Sequence, residues 1–178
     1  MPVVDAIAAV QAKFPELGLA AAPLCTHLDG RPSDQLRLIV SADRLLDVCR
    51  FLRDDPRCRF EQLADLTCVD YLNFPGEHPG RFGVTYSLLS LTHNQRLWLK
   101  VYVDDPQPTV PSVFDLWPGA NWPEREVYDL FGITFSGHPD LRRIVCPEWF
   151  DCHPLRKDYP LTGRGERTQF TPVTRESA

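Results

Sequence analysis

Two stretches decide the fold class of this chain: Phe82-Gly83-Val84-Thr85-Tyr86-Ser87-Leu88 and Leu97-Trp98-Leu99-Lys100-Val101-Tyr102-Val103. In the first, Phe82, Val84, Tyr86 and Leu88 recur at every second position. In the second, Leu97, Leu99, Val101 and Val103 do the same. A period of two places such side chains on one face of a pleated strand. Between the runs lie His93, Asn94 and Gln95, residues suited to a turn, so the unit reads as a β-hairpin. His93 is then a turn residue rather than a ligand.

Upstream of the hairpin the period changes. Val3, Ile7, Val10 and Phe14 fall near helical spacing, and Pro15 and Gly18 stop that helix. Leu36, Leu38 and Val40 alternate as a strand. Ser41 is a suitable cap for a helix whose apolar stripe is Ala42, Leu45, Leu46, Cys49 and Leu52. Asp54-Asp55-Pro56 ends it. The segment from Phe60 to Leu72 carries both signals. Leu63, Leu66, Val69 and Leu72 fit a helix, whereas Thr67-Cys68-Val69 suits a strand, and a short turn leading into a strand is the better reading.

Downstream, Pro106, Pro108 and Pro111 make residues 104–111 a loop. Asn121 to Phe131 predicts a second strong helix, with Asn121 as cap, Glu124 completing a capping-box pattern, and Gly132 closing the end in a left-handed conformation. Helices interspersed with antiparallel strands predict a compact two-layer α+β domain with an antiparallel or mixed sheet over residues 1–135. Periodicity then fades. Pro139, Pro147, Pro154, Pro160 and Pro172 punctuate residues 136–178, which predict an extended proline-rich C-terminal arm lying on a partner surface.

Composition excludes several classes. The net charge of −5 argues against a dedicated nucleic-acid binder. Residues 1–136 hold 12 Lys/Arg against 18 Asp/Glu, whereas residues 137–178 hold 7 against 6, so the arm is the more basic part. No apolar run reaches the roughly 18 residues needed to span a bilayer, and the first residues do not read as a signal peptide. Cys25, Cys49, Cys58, Cys68, Cys146 and Cys152 form no C-x-x-C pair and read as small buried hydrophobes.

Motifs for chemistry are missing. There is no G-x-G-x-x-G, no phosphate loop and no nucleophile elbow. Cys146, Cys152, His153 and His138 are ligand types that zinc accepts, but their spacing is wrong for a zinc or iron–sulfur site. Glu126 and Asp129 share a helix face at i, i+3 and could do acid–base work, while Arg125 and Asp129 at i, i+4 suit a helix ion pair. Arg142, Arg143, Arg156 and Lys157, with Asp158 beside them, form a basic constellation that suits an acidic protein surface, a plain solvated face, or lipid headgroups or nucleic acid.

Two stretches carry a family resemblance. One runs from Glu124-Arg125-Glu126-Val127-Tyr128-Asp129-Leu130-Phe131-Gly132-Ile133 through Gly137-His138-Pro139 to Leu141-Arg142-Arg143-Ile144. The other is His153-Pro154-Leu155-Arg156-Lys157-Asp158-Tyr159-Pro160-Leu161. Together with Asp65-Leu66-Thr67 and Val69-Asp70-Tyr71 they resemble the thirty-kilodalton family, the C subunit of bacterial NADH–quinone oxidoreductase (complex I). The resemblance implies a peripheral-arm protein at the cytoplasmic face of the bacterial inner membrane, attached to the membrane only through the complex. It implies no catalytic residue and no cofactor in this chain, with NADH, FMN, iron–sulfur clusters and quinone held elsewhere in the complex. The chief implied partner is the D subunit, which is related to the hydrogenase large subunit. Glu124, Arg125, Glu126, Asp129, Gly132, His138, Pro139, Arg142, Arg143, His153, Pro154, Arg156, Lys157 and Asp158 are the implied interface or signature residues. The same type of chain occurs in membrane-bound hydrogenases and in ferredoxin- or plastoquinone-linked complexes, which leaves the electron donor open. Cys152 stands where the family usually has glycine, a place where a left-handed backbone would strain it.

Overall fold

In the computed structural model, which describes residues 3–25, 30–33 and 35–165, the hairpin forms the centre of the sheet. The elements in chain order are helix α1 (Val3–Lys13), strands β1 (Ala21–Pro23) and β2 (Leu36–Ile39), helix α2 (Leu45–Asp54) and strands β3 (Gln62–Asp70), β4 (Phe82–Ser90), β5 (Gln95–Val103) and β6 (Thr109–Pro111). Helix α3 (Asn121–Phe131) and strand β7 (Thr134–Ser136) follow. Five strands pair in the order β1-β2-β5-β4-β3. All neighbours are antiparallel except β2 and β5, which run parallel and require the long crossover through α2, β3 and β4.

One face of this sheet carries the core. Leu38, Leu66, Cys68, Phe82, Val84, Tyr86, Leu88, Leu97, Leu99 and Val101 are buried there, together with Leu45, Val48, Cys49 and Leu52 of α2 and Ala6, Ile7 and Val10 of α1. Their spacing of two in the strands and three or four in the helices is the reason these segments take these forms. The result is the expected two-layer α+β domain with a mixed sheet.

Several local expectations change. Phe60 to Leu72 is mainly a nine-residue strand, because Leu66, Cys68 and Asp70 turn inward while the helical set Leu63, Leu66, Val69 and Leu72 splits between faces. The Ser41 side chain caps nothing. A 3-10 turn, Ala42–Arg44, precedes α2. Residues 104–111 are not wholly loop, since Thr109–Pro111 pairs in parallel with β7; this two-stranded ribbon is all edge, so Pro111 loses no interior ladder bond. Gly132 closes α3 at φ 76° as expected, but Ala120, not Asn121, is the N-cap of that helix.

Candidate subunit interface

Of the side chains singled out in α3, Glu124, Arg125 and Asp129 are buried and Glu126 is exposed. Glu124 is fully buried, and it caps no helix. Its carboxylate accepts from Ser112 Oγ (2.6 Å) and from the Val113 N–H (2.8 Å), tying α3 to the segment after β6. Burial pushes this carboxyl up to about 7, against the pull of those two donors. His138 Nε2 lies 4.0 Å from Glu124 Oε2. That nitrogen donates to the Asn121 carbonyl (3.2 Å), and Nδ1 accepts from the Asp140 N–H (3.0 Å), so the ring fixes the turn around Pro139.

Asp129 organises the start of the arm. One oxygen, Oδ2, accepts from the backbone N–H groups of Ile144 (3.0 Å), Val145 (2.7 Å) and Cys146 (2.8 Å). The other, Oδ1, accepts from Arg143 Nη1 at 2.6 Å. Burial raises this carboxyl, but the three N–H groups and the guanidinium outweigh it and hold Asp129 below its ordinary range. The expected Arg125–Asp129 pair is not what forms. Arg125 Nε donates instead to the Arg142 carbonyl (3.1 Å), and its guanidinium lies over the Trp122 ring. Glu126 is exposed while the Asp129 side chain is enclosed, so the two carboxylates do not face a common space.

The second signature stretch is anchored as closely. His153 Nδ1 donates to the Asp129 carbonyl (2.9 Å), and its ring sits against Gly132. Burial lowers its affinity for a proton. Arg156 donates to the Phe131 carbonyl (2.9 Å) and to Asp105 (2.6 Å). The Lys157 backbone N–H reaches Asp70 Oδ2 (2.9 Å), and Asp158 accepts from Arg81 Nη2 (2.8 Å). Arg81 thereby gathers Asp70, Asp105 and Asp158 around one guanidinium. Sequence reasoning missed Asp70, Arg81 and Asp105. Two of them lie between or beyond strands, and the third is a polar residue at an inward position.

The arm as far as residue 165 therefore folds back on its own domain, chiefly through polar bonds, with Leu141 packed against the core. Arg143 and Arg156, expected to meet a partner, turn inward, while Arg142 and the Lys157 side chain remain exposed. The arm also displays large apolar side chains: Val145 (60% exposed), Trp149 (45%), Leu155 (48%) and Leu161 (106%). Val145 and Leu161 line a cleft with Cys146, Pro147, Phe150, Pro154 and Tyr159, whereas Leu155 lies at a separate one between β3 and α3. Residues 166–178 lie outside the described residues. Cys152 does not have positive φ, so the substitution for glycine brings no left-handed strain. Among the described residues, no group of three His, Cys, Asp or Glu side chains is placed to hold a metal.

This fold, a sheet layered on one side by helices, is shared with chains of known structure. A trypsin-resistant fragment of Nqo5 superposes with a TM-score of 0.62 at 33% identity, over 79% of this chain and 100% of that one. A chain from the membrane-bound sulfane sulfur reductase, an archaeal respiratory membrane complex, shares the fold with a TM-score of 0.69 at 21% identity, over 95% of this chain and 91% of that one. The family model described as respiratory-chain NADH dehydrogenase, 30 Kd subunit, matches residues 38–165, and the chain belongs to that family. Among its relatives, the C subunit of NADH-quinone oxidoreductase from Cupriavidus pinatubonensis is 50% identical over 153 residues, covering 80% of this chain and 77% of the relative. The protein of the same name from a Roseiflexus species is 55% identical over 136 residues, covering 76% and 75%.

Proposed function

We propose that this chain is a non-catalytic peripheral-arm subunit of a proton-translocating NADH–quinone oxidoreductase, and that it braces the quinone-reducing module while electrons pass through neighbouring subunits. The observation that carries this reading is the set of exposed apolar side chains on the arm, Val145, Trp149, Leu155 and Leu161. It is exposed on an arm that is itself held rigidly by Asp129, Arg81 and Asp70. Large apolar groups on a fixed support suit a protein interface, because docking then orders little additional chain. The partner assigned to this set is the D subunit, the one that resembles the hydrogenase large subunit. NADH, FMN, iron–sulfur clusters and quinone belong to other subunits in this reading, and the chain meets the cytoplasmic side of a bacterial inner membrane through its partners. No helix among the described residues is long and apolar enough to cross a membrane.

The test is purification of the tagged full chain from its native membranes in mild detergent, with identification of the partners and an assay of NADH–quinone reduction. Recovery with flavin, iron–sulfur and membrane subunits and with activity is the expected result. Recovery with a nickel enzyme would move the chain to a hydrogenase-type complex, and recovery alone would overturn the reading.

A further inference from the structure

The second face of the five-stranded sheet carries none of the helices that cover the core, although the Tyr71 side chain covers part of it, over Lys100 and Gly83. The core and its helices occupy one face, and the residues of opposite parity project from the other. From the strands themselves this face receives three cations, Arg37, Arg96 and Lys100, against one carboxylate, Asp65. Among the described residues none of the three cations has an ion pair. Arg96 donates to Ser87 Oγ (2.7 Å) and Lys100 to the Tyr71 hydroxyl. The Lys100 ammonium is sandwiched 4.6 Å from the Tyr71 ring and 5.2 Å from the Tyr102 ring. Arg37 Nε is buried with no hydrogen-bond partner. An enclosed guanidinium nitrogen without an acceptor carries a desolvation cost that an acceptor brought by a partner would relieve.

We propose that this sheet face is a second docking surface, and that its occupant is an acidic segment of another subunit, whose carboxylates meet Arg37 and Arg96, with the buried Lys100 adding positive charge beneath them. The chain carries −5 overall, so its field repels an acidic partner elsewhere and admits it here. Ile39 (38% exposed) and Val69 (39%) stand among the cations, with Trp98 and Tyr102 half-buried between them. That mixture of aromatic, aliphatic and arginine side chains is the composition of a protein interface. Arginine also offers a carboxylate two parallel donors, which suits Arg37 and Arg96 to that partner. The inference rests on the reading that the chain works inside a multisubunit assembly, but it concerns the sheet and not the arm.

Two measurements on the full chain in its complex test it. Arg37→Lys keeps the charge and places an amine on this face. A zero-length carbodiimide treatment of the purified complex is expected to join the new amine at position 37 to an Asp or Glu of a different subunit. A second variant, Arg37→Glu with Arg96→Glu, is expected to melt as the wild-type chain does and to lower co-purifying subunits by about tenfold. Cross-links confined to this chain, or joining it to a second copy of itself, would overturn the proposal. So would undiminished recovery of the complex with the charge-reversed pair. If that variant fails to fold, the cross-link alone decides. If the wild-type chain purifies without other subunits, the assembly reading falls first and the docking surface with it. An intact complex without the cross-link removes only the docking surface.

Discussion

The His153 imidazole occupies the space a side chain at Gly132 would need: a Cβ built there would meet His153 Cδ2 and Nε2 at 2.7 Å. Because Gly132 also has φ 76°, its backbone and its surroundings both demand glycine. Gly132→Ala is expected to cost about 2 kcal/mol or more, from left-handed strain plus displacement of the imidazole. Chemical denaturation measures the loss, and the His153 proton resonances should move. An unshifted His153 with full stability would refute the contact.

Asp129 accepts four donors inside an enclosure, one on Oδ1 and three on Oδ2, so an amide there turns an NH2 toward either the Arg143 guanidinium or the three N–H groups and removes the charge that pairs Arg143. Asp129→Asn is expected to destabilise the chain by about 3–5 kcal/mol, the range for breaking a buried, hydrogen-bonded ion pair. Its carboxyl is held below the ordinary value, so its stabilisation is complete above the unfolded pKa and is lost as acid protonates the folded state. Amide exchange at Ile144, Val145 and Cys146 should accelerate in the variant at neutral pH. Unchanged protection there would contradict the assignment.

Glu124 has the opposite sign. Its folded pKa of about 7 lies above the ordinary value of 4.5, so the protonated form favours folding. Its contribution is complete below the unfolded pKa and is lost as pH rises through the folded one, a difference on the order of 3 kcal/mol. Glu124→Gln keeps an acceptor for Val113 and removes the titration. The variant should gain stability relative to wild type as pH rises from about 4.5 to about 7, with the difference constant above that. A difference that does not vary with pH would place the titration elsewhere.

Trp149 and Leu161 are exposed, so Trp149→Ser with Leu161→Ser should change the stability of the isolated chain by no more than about 1 kcal/mol. Recovery of the complex should fall about tenfold or more, as for loss of aromatic and aliphatic anchors at an interface. Thermal melts and detergent purification provide the two readings. Equal losses in both would mean that these residues serve the fold.

The hairpin is legible in the sequence because Phe82, Val84, Tyr86 and Leu88 alternate without interruption, and burial on one face requires that pattern. Strand β3 is harder to read. Its third inward position is Asp70, which is tolerable only because Arg81, a residue beyond the strand, neutralises it. Helix α3 shows itself through its apolar stripe and Gly132, but the roles of its acids do not. Glu124 three residues after Asn121 looks like a cap, and nothing local reveals that Ser112 and Val113 claim it instead. The arm offers no period at all, since it is fixed by side-chain bonds to carbonyls and N–H groups, which leave no mark on hydropathy. Its family signature is legible as a string of residues; their mutual geometry is not.

Every anchor of the arm lies earlier in the chain than the arm residue it holds: Asp129 precedes Ile144 to Cys146, Phe131 and Asp105 precede Arg156, Arg81 precedes Asp158, and Asp70 precedes Lys157. A ribosome delivers residues in that same order, and domains fold from the N-terminal side as they emerge. The sockets are therefore built before the plugs arrive, and the arm closes last on a finished surface. For that interval the nascent domain presents Asp70 and Asp129 uncovered, and the arm that follows them out acts as their lid.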